Sequence, residues 1–348
     1  MDASNQTESL PGKRIDSKIM QQHDELTNAS VRPAMQVPMR VPSAWYSVAA
    51  STEVRAAPFP VQLFGTDFVL WRNSSGQVVM QTDTCPHRSA KLSLGEVREN
   101  CISCPFHGFR FDTTGSCTFV PETAKASPNL CVDTWQVLEQ NGFIWIKHGN
   151  SQSQSPPWFA ELDSGLAMHE SVHEWPTHIT RCVENQLDYA HLPFVHRTTI
   201  GKNVDVKGTR RIDCVDDRIS MYVSDANAPT AAIQFIFPNL WLLTIAPGKF
   251  YQFISFVPVS NTKTRLYLRA YQRFMTAPFI VPLLTPLFNK SNSVILDQDR
   301  RVVLSQRPTV STEATNEKLF PSDRAIDYFR KLWRASAHPS SQEIDQET

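Results

Sequence analysis

The sequence has no excess of charge of either sign: 34 Lys and Arg stand against 34 Asp and Glu, for a net charge of zero. It has no block of like charge either, so neither a nucleic-acid backbone nor an anionic membrane surface is an expected partner. No uninterrupted apolar run reaches the length of a membrane span. The nearest, FMTAPFIVPLLTPLFN at residues 274–289, is broken by three prolines and is expected to form a flap or helix over a pocket. There is no signal-peptide pattern ahead of the 7 cysteines. An odd number of them, scattered along the chain, implies a reducing compartment and a cytoplasmic location. Internal repeats, a GxGxxG nucleotide fingerprint and a plant-type C-x4-C-x2-C ferredoxin pattern are all missing.

What is present describes a globular chain: 348 residues, 41% hydrophobic and 20% charged, enough for two domains with real cores. Residues 1–40 are polar and lack apolar periodicity, as a disordered leader would be, and their acidic residues argue against a mitochondrial presequence. From VPSAWYSVAAS onward, short alternating runs (VQLFG, DFVLWRNSSGQVVMQT, FRFDTTGSCT, FIWIKHG) predict an all-β domain over 41–150. Asn73–Gly76 and Asp112–Gly115 are its hairpin turns. SQSQSPPW, residues 151–158, has the composition of a linker. A second domain over 151–335 should begin with a helix, HITRCVENQLDYAHL, ended by Pro193. Strands RISMYVS, AAIQFIF, LWLLTIAP, FYQFISFVPV and TRLYLRAYQRF follow, then helices SVILDQDRRVVLSQR and AIDYFRKLWRAS and a polar tail over 336–348. A long antiparallel sheet flanked by helices makes the fold class α+β.

The chain's organising stretch is CPHRSAKLSLGEVRENCISCPFHG, residues 85–108. It holds Cys85-x-His87 and Cys104-x2-His107, each Cys followed by Pro and His107 followed by Gly, the makings of two tight loops. Two thiolates and two imidazoles suit a [2Fe-2S] cluster with one iron held by Cys85 and Cys104 and the other by His87 and His107, whose imidazoles raise its potential. A structural zinc site with the same donors is the competing reading. Cys101, Cys117, Cys131, Cys182 and Cys214 are read as ordinary thiols.

Downstream, ENQLDYAHLPFVH spaces Glu184, Asp188 and His191 by four and three residues, one face of a helix, with His196 beyond the proline. Two such imidazoles and one distant carboxylate would make a facial triad for non-haem Fe(II), leaving the opposite face open to O2 and substrate.

The two segments together resemble the Rieske non-haem iron oxygenases, over roughly residues 42–310. The first resembles that family's CPHR…CPYHGW motif, with Phe106 and Phe109 where Tyr and Trp are common; this leaves ligation intact and removes a hydroxyl near the cluster. The second matches E-x3-D-x2-H-x4-H throughout. LDQDRRVVLSQRP resembles the helix bearing the family's carboxylate ligand, ED-x2-V-x3-Q. The resemblance assigns that role to Asp299 over Asp297, with Val302 and Gln306 in register and Gln298 replacing the frequent Glu. It implies a Rieske domain followed by a helix-grip (START-like) catalytic domain, and a terminal oxygenase component. Its electrons would come from a separate ferredoxin or reductase. It would use O2 to hydroxylate or demethylate a hydrophobic, aromatic or secondary-metabolite small molecule. It also implies a homotrimer in which Asp188 links His191 to a cluster histidine of the next subunit. Glu184 and Asn185 are either supporting groups of the iron site or a solvated helix face. A desaturase or cyclase would use the same residues, and an electron carrier or ligand-binding protein with a lapsed iron site remains the non-enzymatic alternative.

Overall fold

The computed structural model describes residues 39–163, 165–202, 204–205, 209–223, 227–228, 230–277 and 279–337. Residues 1–38 of the leader expected over 1–40 and most of the expected polar tail lie outside those residues, while Met39 is buried in the main core. Before residue 150 the chain forms β1 (Ala44–Ala50), β2 (Phe59–Leu63), β3 (Thr66–Arg72), β4 (Val78–Thr82), β5 (Glu96–Arg98) and β6 (Cys101–Ser103). It continues with β7 (Arg110–Phe111), β8 (Ser116–Val120), β9 (Lys125–Cys131), β10 (Thr134–Trp135), β11 (Val137–Gln140) and β12 (Phe143–His148). These make three antiparallel sheets, ordered β1-β12-β11, β10-β4-β3-β2 and β5-β6-β7-β8-β9.

Both expected hairpin turns form. Gly76 and Gly115 take left-handed φ of 81° and 88°, and each donates its N–H to the carbonyl three residues back, on Asn73 and Asp112. Asn73 and Asp112 also accept backbone N–H bonds with their own side chains, the Asx mechanism that makes these sequences turns. The alternation in β3 and β4 then separates two cores. Phe68, Leu70 and Met80 join the main cluster, whereas Val69, Trp71 and Val79 pack beneath Cys85 and Cys104.

The second part begins with β13 (Ala167–Trp175), α1 (Ile179–Leu187), α2 (Leu192–Val195), β14 (Thr209–Val215), β15 (Arg218–Val223), β16 (Ile233–Ile236) and β17 (Leu240–Ala246). It ends with β18 (Phe250–Ser260), β19 (Lys263–Gln272), α3 (Val281–Val303) and α4 (Arg324–Ala337). Its strands form one antiparallel sheet of order β13-β19-β18-β17-β16-β15-β14. β13, β14 and β9 were not singled out by the sequence. In AMHESVHEW, charged residues and histidines alternate with few apolar ones, so the strand signal is weak even though its register on β19 is continuous.

Two local expectations are corrected. The helix expected over 178–192 stops at Leu187: Asp188, its C-cap, is extended at φ −92°, ψ 112°, and Pro193 opens α2 instead of closing α1. Proline is tolerated in a first helical turn, where its missing N–H has no partner to lose. Glu184, Asp188 and His191 therefore do not share a helix face. Similarly, the proline-broken stretch and the helix expected after it are one element, α3, with Pro282 in its first turn and Pro286 inside. Its first half turns Leu283 and Leu287 to solvent, Leu283 being 76% exposed, and Phe279 just ahead of it is exposed too. Among the described residues no helix is long and apolar enough to cross a membrane.

The described residues, from Met39 onward, pack as one compact unit. The long strands β18 and β19 explain why, since each uses both faces. One face, with Phe253, Ser255, Tyr267 and Arg269, meets the earlier strands. Ser255 and Ser47 hydroxyls lie 2.7 Å apart, and Tyr267 donates to Glu53 at 2.6 Å. Arg269 donates to the carbonyls of Asn141 and Gly142, both at 2.7 Å. The other face, with Ile254 and Leu268, lines a cavity covered by α1 and α3.

Candidate metal centres and cavity

The two cluster loops have the same backbone design. Cys85 donates its N–H to Ala90 O at 2.8 Å and Cys104 donates to Phe109 O at 2.8 Å, in each case five residues on. Each Cys carbonyl accepts from the residue four ahead, Ser89 at 2.9 Å and Gly108 at 3.0 Å, and both of those have positive φ, 55° and 72°. Residue 108 as Gly adopts that conformation without strain. Cys85 and Cys104 are buried and unpaired by disulfide, while His87 and His107 are exposed, with ring centroids 4.8 Å apart. Phe109 backs His87 at 4.6 Å and Phe106 backs His107 at 3.9 Å. Burial pushes the Cys85 thiol up to about 11, and the neighbouring Cys104 adds to the rise. A bound cationic centre removes that penalty by stabilising both thiolates. Two buried thiols behind two exposed imidazoles fit a [2Fe-2S] cluster whose histidine edge faces outward.

The second site joins α2 to α3. His191 caps the start of α2, His196 closes it, and Asp299 sits in the last two turns of α3. His196 and Asp299 are 1% and 2% exposed. His196 Nε2 lies 2.9 Å and His191 Nε2 3.3 Å from Asp299 Oδ1, and one donor atom from each residue falls within 4.8 Å of the others. Burial alone lowers the pKa of His191, but the Asp188 and Asp299 carboxylates outweigh it and lift it to about 9. The same two imidazoles hold Asp299 below its usual value against its own burial. His191 Nδ1 is buried and makes no hydrogen bond: Asp188 Oδ2, at 3.6 Å, is in electrostatic contact only. Two imidazoles and a carboxylate converging in this way fit one divalent iron. Asp297 is exposed and takes no part.

Two supporting residues escaped the sequence reading or were left open by it. Gln298 looked like a mismatch, yet its Oε1 accepts the Nδ1–H of His196 at 2.7 Å and a second bond from Thr199 at 3.1 Å. That fixes the imidazole so that Nε2 faces the metal position. Asn185 donates to Asp299 at 3.3 Å, which makes it a supporting group. Glu184 is neither a supporting group nor solvated. It is buried in a four-charge cluster, paired with Arg330 at 2.6 Å and Arg181 at 3.4 Å, while Glu317 bonds both arginines. Asp188 is about one-third exposed and accepts the N–H of Ala190 at 2.8 Å.

Beside the triad opens a cavity of about 100 Å³, walled by Trp241, Leu243, Ile254, Leu268 and Ile295, among others. Register explains the lining. Trp241 pairs with Ile254, Leu243 with Gln252 and Ile254 with Leu268, so one face of three adjacent strands forms the wall.

An all-β domain presenting a Cys2His2 cluster site, joined to an antiparallel sheet with a His-His-Asp site, defines the class of Rieske-type oxygenases. Comparison with known proteins agrees: residues 44–137 match the family described as Rieske [2Fe-2S] domain. The chain is homologous to the Rieske oxygenases. It is 30% identical over 309 residues to the chloroplastic chlorophyllide a oxygenase of Oryza sativa subsp. japonica, an alignment covering 83% of this chain and 56% of that protein. The chain thus spans about half the length of the curated relatives it matches first. Among solved structures it is similar to a Pseudomonas putida CBB5 NdmA mutant with theobromine, with a TM-score of 0.70 and 25% identity over 84% of this chain and 89% of that one. It shares its fold with dicamba monooxygenase bound to dicamba, with a TM-score of 0.72 and 20% identity over 85% and 97% of the two chains. The Rieske match decides the first site in favour of the cluster over zinc.

Proposed function

We propose that this chain is the terminal component of an oxygenase, with residues 41–150 holding the cluster and 151–335 the catalytic iron. It takes electrons from a separate ferredoxin or NAD(P)H-linked reductase and hydroxylates or oxidatively demethylates a hydrophobic, aromatic small molecule. The observation that carries this reading is the His191–His196–Asp299 set, converging at the side of an apolar cavity. The cluster would supply single electrons, and the mononuclear Fe(II) would supply activation of O2.

The chain's own residues do the rest. Cys85, Cys104, His87 and His107 hold the cluster with its imidazole edge toward a docking donor protein. Gln298 keeps the proton of His196 on Nδ1, leaving Nε2 as the ligand atom. Asn185 holds Asp299 by donating to Oδ1, the same oxygen that faces the two imidazoles. Trp241, Leu243, Ile254 and Leu268 exclude water from the place where substrate lies over the open face of the triad. Asp188, in contact with His191, extends toward solvent, as a link to a cluster histidine of a neighbouring subunit in a homotrimer would need. The chlorophyllide in the name of one similar protein and the theobromine found with another support an aromatic ligand class.

The test is iron and acid-labile sulfide per chain, with EPR of the dithionite-reduced protein, on wild type and His191→Ala. About three irons and two sulfides, a Rieske signal, and the loss of one iron in the variant are expected. Two irons in both proteins with the same signal would leave an electron carrier and overturn the oxygenase reading.

A further inference from the structure

Among the cavity's polar side chains are two, Gln252 and Asn292, whose hydrogen-bonding capacity the protein uses only in part. Gln252, on β18, donates its Nε2–H to Asn292 Oδ1, on α3, at 3.0 Å. A primary amide has two donor hydrogens and an acceptor oxygen. After this one bond, Gln252 Oε1 and Asn292 Nδ2 have no hydrogen-bond partner among the described residues, and neither atom is sealed from the cavity that both residues line. Rotating both amides by half a turn reverses the bond and still leaves one free acceptor beside one free donor, so the conclusion does not depend on how the amides are oriented.

We propose that Gln252 and Asn292 form the specificity edge of the cavity, and that the substrate is a neutral molecule of about two rings bearing an adjacent donor and acceptor, as in a lactam or secondary amide. This rests on the oxygenase reading above and narrows its substrate class. Position and size follow from α3. Asn292 and Asp299 are seven residues apart, on the same helix face and roughly 10 Å apart along the axis. A ligand whose polar edge meets Asn292 therefore places its opposite end over the metal site, and a two-ring body fills the distance. The sheet supplies flat apolar contact in between. Trp241 offers only its ring there, because its Nε1–H is already donated to Gln186 O at 2.9 Å. Asn185 and Gln186 are likewise engaged, Asn185 with Asp299 and Gln186 with Asn185.

Charge excludes the main alternative. No Lys or Arg lines the cavity, and its ionisable lining includes Asp188 and Asp299. A carboxylate or sulfonate at the Gln252–Asn292 edge would have no counter-ion beside it, the iron that the triad would hold being at the other end of the cavity. Its oxygens, all acceptors, would meet one donor and the lone pairs of a second amide oxygen.

The experiment is anaerobic calorimetric titration of the full-length, metal-loaded protein with three probes that share a two-ring body: 2-quinolone, naphthalene and 2-naphthoate. Wild type is expected to bind 2-quinolone at least about tenfold more tightly than naphthalene, and 2-naphthoate most weakly. In Gln252→Leu and in Asn292→Leu the quinolone preference should fall to within about twofold, with naphthalene binding kept as the sign of an intact cavity. Equal binding of 2-naphthoate and 2-quinolone, a preference surviving in both variants, or no binding of any probe would each overturn the proposal. Iron, sulfide and EPR on the same samples report separately on the oxygenase reading, which can fail or stand independently of the probe preference.

Discussion

At the scale of single residues, the proposed ligands were more legible than the groups that hold them. Cys85, His87, Cys104, His107, His191 and His196 announce themselves by type and spacing, because few other uses call for those side chains at those intervals. Asp299 needed a pattern to separate it from Asp297, and burial makes the same choice: 2% exposed against exposed. Gln298 was visible only as a departure, since glutamine carries no charge to mark it, yet it is the acceptor that sets the orientation of His196. Its role yields a prediction. Gln298→Leu removes the only acceptor at Nδ1 and should weaken Fe(II) binding at the mononuclear site about 10- to 100-fold. Gln298→Glu keeps an acceptor and should bind as wild type does. Competition with a chromophoric chelator measures both, and the cluster EPR signal should be unchanged in each. Equal affinity in the leucine variant would remove Gln298 from the site.

At the scale of elements, periodicity located helices and strands but missed where one helix gave way to another. The apolar positions Ile179, Cys182, Val183 and Leu187 do define the buried face of α1, yet nothing in them signals the extended Asp188 that turns the chain toward His191. What anchors α1 was equally hidden. Glu184 ties it to α4 through Arg330, and His178 caps its N-terminus, with Nδ1 accepting the N–H of Thr180 at 3.3 Å. His178 is buried and its pKa is pushed down to about 4 by that burial. The unfolded value is about 6.5, so the folded chain holds this imidazole neutral where the unfolded chain would protonate it. The contribution to stability is therefore complete above about pH 6.5 and is lost as the pH falls toward 4, amounting to about 3 kcal/mol. Urea midpoints at pH 7.5 and 5 measure it. His178→Asn, which keeps a capping acceptor, should show a smaller drop between the two pH values. An identical drop in both proteins would assign the acid sensitivity to other groups.

At the scale of the whole molecule, the alternating runs on either side of SQSQSPPW suggested two domains, and the strands do divide there into three small sheets and one large one. What the sequence pattern did not disclose is that β18 and β19 bury both faces, so the cluster-bearing strands and the iron-bearing sheet share one apolar core from Tyr46 and Trp145 to Phe253 and Trp333. Arg269 shows how tightly they are joined. It is 2% exposed, pairs with Glu170 at 2.7 Å, lies 3.4 Å from the centroid of the Phe143 ring, and donates to two carbonyls in the β11–β12 turn. A guanidinium in that position satisfies acceptors that no apolar side chain can reach, and its loss takes the donor from Glu170 and from the Asn141 carbonyl, while Gly142 O keeps the N–H of Ser51 at 3.0 Å. Arg269→Met should thus destabilise the protein by about 3–5 kcal/mol, the cost of breaking a buried, hydrogen-bonded ion pair. The manner of unfolding is more telling than the amount. With a shared core, loss of the cluster's visible absorbance and loss of far-UV circular dichroism should coincide in urea for the wild type. In Arg269→Met the absorbance should disappear first, because the strands that support the cluster loops then detach while the seven-stranded sheet persists. Separate transitions already in the wild type would mean that the contact across β18 and β19 does not couple the two metal-binding parts.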